Sequence, residues 1–94
     1  MGQNIYEHDI QNVLQGMMEF LCQNAKNNAT TDFEIEQIRL ERFSTISNKD
    51  YFNRIVAIIA ERFIDIELRG SKVRLSPAGL DNCKQYDANF QRHF

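Results

Sequence analysis

The sequence predicts one mainly α-helical domain with a small β-hairpin, an α+β class in which three helices precede the hairpin and one follows it. Three observations predict this. Apolar residues repeat at helical spacing in three stretches before residue 64. From 64 to 75 the period changes to two, on either side of Gly70-Ser71. Ser76-Pro77 then sets a capping residue before a proline at a first helical position. The chain of 94 residues suits one domain, and its ten aromatics separate it from disordered compositions.

The first helix is expected over about 5–25, with Ile10, Val13, Leu14, Met17, Phe20, Leu21 and Ala25 along one stripe. Gly16 lies within it, at a cost of up to about 1 kcal/mol relative to alanine. Residues 24–30 are small and polar and read as a loop. The second helix is expected over about 32–43. Thr31 and Glu34 have capping-box spacing, and Asp32, Glu34 and Glu36 suit the positive end of a helix dipole. Ile35, Ile38 and Phe43 would face inward. The alternation of Phe33 with Ile35, and of Ile38 with Leu40, also fits a strand in places.

The third helix is expected over about 47–63, opening on the capping signal Ser47-Asn48-Lys49-Asp50. At about 100° per residue, Phe52, Ile55, Val56, Ile59 and Phe63 share one narrow face. The opposite face carries Asp50, Asn53, Arg54, Ala57 and Glu61, with Lys49 at its margin. Tyr51, Ile58 and Arg62 form a flank.

In the hairpin, over 64–76, Ile64, Ile66 and Leu68 alternate with Asp65, Glu67 and Arg69. With Gly70 and Ser71 as the loop, Leu68 faces Val73 and Ile66 faces Leu75 on the inner side. Glu67 then faces Arg74 on the outer side, so turn chemistry and side-chain pairing select the same register. Asp65 and Glu67 are expected to make the base of the hairpin acidic. A closing helix is expected over about 77–91, with Leu80, Cys83, Tyr86 (or Asp87) and Phe90 repeating at helical spacing.

The formal net charge is −2, which argues against a strong nonspecific nucleic-acid binder. Its distribution is uneven, however. Residues 1–36 hold Lys26 against six carboxylates, whereas 37–80 hold eight cations against five anions. The middle of the chain is therefore the candidate surface for a polyanion. Cys22 and Cys83 stand far apart and are expected as two reduced core thiols of a cytoplasmic protein. No stretch approaches a membrane span, and the N-terminus lacks the pattern of a signal peptide or a myristoylation site. His8 and His93 lie near opposite ends of the chain, neither cysteine has a histidine nearby in sequence, and the four glycines form no phosphate loop. An enzyme is not expected, and no catalytic residue, metal or cofactor is assigned.

The stretch Ile59 to Leu80, IAERFIDIELRGSKVRLSPAGL, together with the element order, resembles the winged helix-turn-helix superfamily. Leu75-Ser76-Pro77-Ala78-Gly79 is similar to the Leu-Thr-x-x-Gly ending of the wing in MarR and PadR regulators, with serine for threonine. The nearest likeness is to small bacterial and phage YjcQ-like winged-helix proteins, over residues 47–86. The resemblance implies a winged helix-turn-helix with an extra C-terminal helix. It implies a sequence-specific DNA-binding transcriptional regulator, with the third helix in the major groove and the wing on the backbone. Lys49, Asn53 and Arg54 would then meet double-stranded DNA from the helix, and Arg69, Ser71 and Lys72 from the wing tip. Their chemistry suits this: asparagine can bond an adenine edge, arginine a guanine edge, and lysine a phosphate. A homodimer through the first and last helices would double the footprint. The alternative is a winged-helix module that binds another protein and no DNA.

Overall fold

A computed structural model describes residues 4–25 and 32–87. In chain order it contains α1 (Glu7–Gln23), β1 (Phe33–Glu34), α2 (Ile35–Arg42), α3 (Lys49–Arg62), β2 (Ile66–Arg69), β3 (Lys72–Leu75) and α4 (Pro77–Asp81), followed by a 3-10 turn at Cys83–Gln85. The class is α+β: mostly helix, with one three-stranded antiparallel sheet in the order β1-β3-β2.

Helix α1 is the axis of the core. Val13, Met17 and Met18 are fully buried, and Ile10, Phe20 and Leu21 nearly so. It packs against α3, α2 and β3. Glu7 and Asp9 in its first turn complement the helix dipole. Helix α3 crosses α1 with Phe52, Ile55, Val56 and Ile59 fully buried, the face expected from their spacing. Phe63, at the helix end, is half-buried at its edge. The N-cap of α3 is Asn48, whose side-chain oxygen accepts from the Tyr51 N–H at 3.1 Å, one residue beyond the expected Ser47.

The second expected helix is corrected at its start. Residues 33–34 form strand β1, and the helix begins at Ile35. Phe33 pairs with Val73 and Glu34 with Lys72, while the Ile35 N–H donates to the Ser71 carbonyl at 3.0 Å. These long-range bonds supply what a local cap would have satisfied. Glu34 occupies the N-cap position of α2 without a side-chain cap bond, and its carboxylate accepts from the Ser71 hydroxyl instead. Thr31 and most of the expected 24–30 loop lie outside the described residues. Ile35 and Ile38 are buried as expected. Phe43 lays its ring over Gly16 and beside Phe52, with ring centroids 5.3 Å apart in that pair.

The hairpin has the expected register: Leu68 opposite Val73, Ile66 opposite Leu75, Glu67 opposite Arg74 and Arg69 opposite Lys72. Gly70 turns it with φ +61°, in the left-handed region. The alternation does not extend back to residue 64. Ile64 sits on a turn and is 75 % exposed, whereas Asp65 is buried and accepts from the Asn82 amide at 3.1 Å. Asp65 is thus absent from the hairpin's outer face, and Glu67 is engaged by Arg74 at 3.0 Å. The base of the hairpin presents less acid than its sequence suggests.

Ser76 caps α4 as expected. It accepts from the Gly79 N–H at 3.0 Å and donates its hydroxyl to the Ile64 carbonyl. The helix ends at Asp81, far short of the expected 91. Asn82 takes φ −92°, ψ 0°, and the chain tightens into the 3-10 turn. Phe90 and the expected helix end lie outside the described residues. Cys83 is bonded to Cys22 at the end of α1, with Cα atoms 5.5 Å apart. The expectation of two reduced thiols is therefore corrected: neither is free, and the bridge ties the closing segment to α1 across 61 residues of sequence. No described helix is long and apolar enough to cross a membrane.

Candidate nucleic-acid interface

The outward face of α3 and the hairpin tip border one cleft of about 510 Å³, lined by Lys49, Asn53, Ala57, Leu68, Gly70, Ser71 and the first residues of α2. Strand β1 creates this proximity. By pairing with β3 it fixes the hairpin beside the start of α2, and α2 packs against α3. Lys49, Asn53 and Ser71 are thus brought together. Arg54, one position on from Asn53, is exposed but lies outside the cleft lining.

Arg69 and Lys72 are exposed and face each other at the tip, and neither makes an ion pair among the described residues. Like charges across a strand pair repel, so an anion bridging them would relieve a built-in cost. Arg74 differs: its guanidinium meets Glu67 at 3.0 Å and Asp32 at 4.0 Å, and is not available. Arg62, on the flank of α3, is held by both Glu7 oxygens at 2.8 and 2.9 Å. That hydrogen bond draws the Glu7 carboxyl below its ordinary pKa, against a smaller opposing effect of desolvation.

Two carboxylates in this cleft escaped the sequence reading. Glu34 accepts from the Ser71 hydroxyl at 2.9 Å. Glu36 takes the Arg39 Nε–H at 2.7 Å and stands 3.6 Å from the Lys49 ammonium. The Arg39 hydrogen bond is the main cause of a Glu36 pKa below the usual carboxylate value, so this group is anionic at neutral pH. The sequence reading assigned Glu34 and Glu36 only to the start of a helix; the Ser71 contact depends on β1 docking beside β3, and the Lys49 contact on α2 packing against α3.

A second cleft, of about 500 Å³, lies between the start of α1 and the loop before α3, and is lined in part by Tyr6, Asp9, Ser47 and Tyr51. The Tyr51 hydroxyl donates to Asp9 Oδ2 at 2.6 Å, tying the first turn of α3 to that of α1. This bond raises the Tyr51 pKa above its ordinary value, with desolvation adding to it. Among the described residues, no group of three or more His, Cys, Asp or Glu is arranged to hold a metal ion.

No family model matches the chain, and no curated protein or solved structure matches it.

Proposed function

We propose that this chain is a winged-helix domain acting as a DNA-binding transcriptional regulator, with α3 entering the major groove and the β2–β3 hairpin contacting the backbone. The order α1-β1-α2-α3-β2-β3 and the sheet order β1-β3-β2 support the fold reading, since they set a short wing beside the third helix. The observation that carries the function is the shared cleft. Lys49 and Asn53 on α3 and Ser71 on the hairpin face one space, and Arg69 and Lys72 form an unneutralised tip beside it. Such a set offers base-reading groups from a helix and phosphate-binding groups from a wing. The reading includes a homodimer, because one small module makes too few phosphate contacts for tight binding.

The test is a polarisation or gel-shift assay with duplex DNA at two salt concentrations, with molecular mass measured in the same buffer. Arg54→Ala combined with Arg69→Ala should abolish duplex binding while leaving the fold intact, since both side chains are exposed. Unchanged binding would remove both residues from the interface. A monomer indifferent to DNA would favour the second reading, a protein-interaction module. That reading draws its support from the carboxylates in the cleft and from the exposed Ile64.

A further inference from the structure

We infer that Glu34 and Glu36 set the selectivity of the cleft, occupying with protein carboxylates the donors that a phosphate would otherwise take. The inference rests on the DNA reading above and names how that site discriminates. The six donors proposed for the interface divide into two groups. Ser71 donates to Glu34 at 2.9 Å and Lys49 lies 3.6 Å from Glu36. Asn53, Arg54, Arg69 and Lys72 have no carboxylate partner among the described residues.

The acids are held in position. Glu36 is fixed by the Arg39 Nε–H at 2.7 Å, and Arg39 is itself fixed through Nη1 to the Ile46 carbonyl at 2.7 Å. Glu34 sits at the junction of β1 and α2, where the neighbouring backbone is pinned to the hairpin by the Ile35 N–H bond. A carboxylate beside an ammonium or hydroxyl makes the same charge-assisted contact as a phosphate oxygen, and it repels an incoming phosphate. A duplex that offers only its backbone must therefore displace these contacts and approach two fixed anions. A duplex whose base edges suit Asn53 and Arg54 gains contacts the acids do not block. The pair thus penalises arbitrary DNA more than a preferred sequence.

The experiment measures binding of a mixed-sequence duplex to the full chain by fluorescence polarisation across a salt series. Glu36→Gln should tighten binding about 3- to 10-fold at fixed salt, the size expected for one exposed pair removed and one repulsion relieved. Its log-affinity against log-salt slope should steepen by about 0.9 as Lys49 becomes free for a phosphate. Glu34→Gln should act in the same direction. Adding Lys49→Met to Glu36→Gln should erase the gain. Glutamine keeps an acceptor for Arg39, and circular dichroism melts check that each variant folds. Glu41→Gln on the same helix changes net charge equally, but its carboxylate accepts from the Gln37 amide at 3.5 Å, so it should leave affinity unchanged. If the wild type binds and both cleft variants bind no tighter, or if Glu41→Gln tightens equally, the inference is overturned and the DNA reading stands. If neither the wild type nor any variant binds duplex at low salt, both fail together.

Discussion

Gly79→Ala tests the junction that orients the hairpin. A Cβ on Gly79 would lie 2.0 Å from the Asp65 carbonyl oxygen and 2.8 Å from its carbon. Ordinary carbon–oxygen approach in proteins is about 3.3–3.6 Å, so α4 and the α3–β2 turn must separate by more than 1 Å. Neither side can give freely. The same carbonyl accepts from the Ser76 N–H at 3.0 Å, and Asn82 holds the Asp65 side chain at 3.1 Å. Overpacking of this kind costs about 1–3 kcal/mol, and loss of the backbone bond about 1 kcal/mol more. Alanine recovers about 1 kcal/mol through a less flexible unfolded chain, which leaves a net loss of about 1–3 kcal/mol. For a domain of this size the melting temperature should fall by roughly 4–24 °C, measured by circular dichroism or calorimetry. Gly16→Ala is the internal comparison. Its Cβ would come within 2.5 Å of the Phe43 ring, the movable end of a side chain. The alanine also gains about 1 kcal/mol of helix propensity, so the loss should be distinctly smaller. A wild-type melt for Gly79→Ala, or a greater loss for Gly16→Ala, would refute the reasoning.

Thiol titration of the denatured, untreated protein should find no free cysteine; two titrating thiols would exclude the Cys22–Cys83 bridge. Reducing it should cost about 4 kcal/mol by loop-closure entropy for a 61-residue separation, read as a lowered denaturant midpoint. The Tyr51–Asp9 bond favours the neutral phenol, so its contribution to stability is present below the ordinary tyrosine pKa and is lost as pH rises through the raised value. Asp9→Asn should move one tyrosinate absorbance step to lower pH, and an unchanged titration would dissociate the shift from Asp9. Ile59→Asp puts an unpaired carboxylate at a fully buried position of α3, at a cost above about 4 kcal/mol and comparable to the whole stability of such a domain. A cooperative melt near wild type would mean that α3 presents a different face to the core.

The hairpin was legible because everything that specifies it is local. Gly70 accepts the positive φ, and the side-chain period leaves a single register that satisfies both the inner apolar pairs and Glu67 with Arg74. The buried face of α3 and the Ser76 cap were legible for the same reason. Each is set within a few turns of chain, by helical spacing or by a hydroxyl three residues before a free N–H. The cationic set on α3 and the wing tip could also be read directly, since exposed charge follows from the faces that remain.

What the sequence by itself determined, then, is the succession of three helices and a hairpin, the inner and outer faces of α3 and the hairpin register. Tertiary structure alone decided that residues 33–34 form a strand, that Asp65 turns inward while Ile64 turns out, that Cys22 meets Cys83, and that Glu34 and Glu36 share the cleft with Lys49 and Ser71. Each of these depends on partners many residues away: β1 borrows its hydrogen bonds from β3, and Asp65 takes its hydrogen-bond donors from Ser76 and Asn82. Local propensity at Phe33–Glu34 was nearly balanced between helix and strand, and a few backbone bonds of about 1 kcal/mol each suffice to tip such a balance.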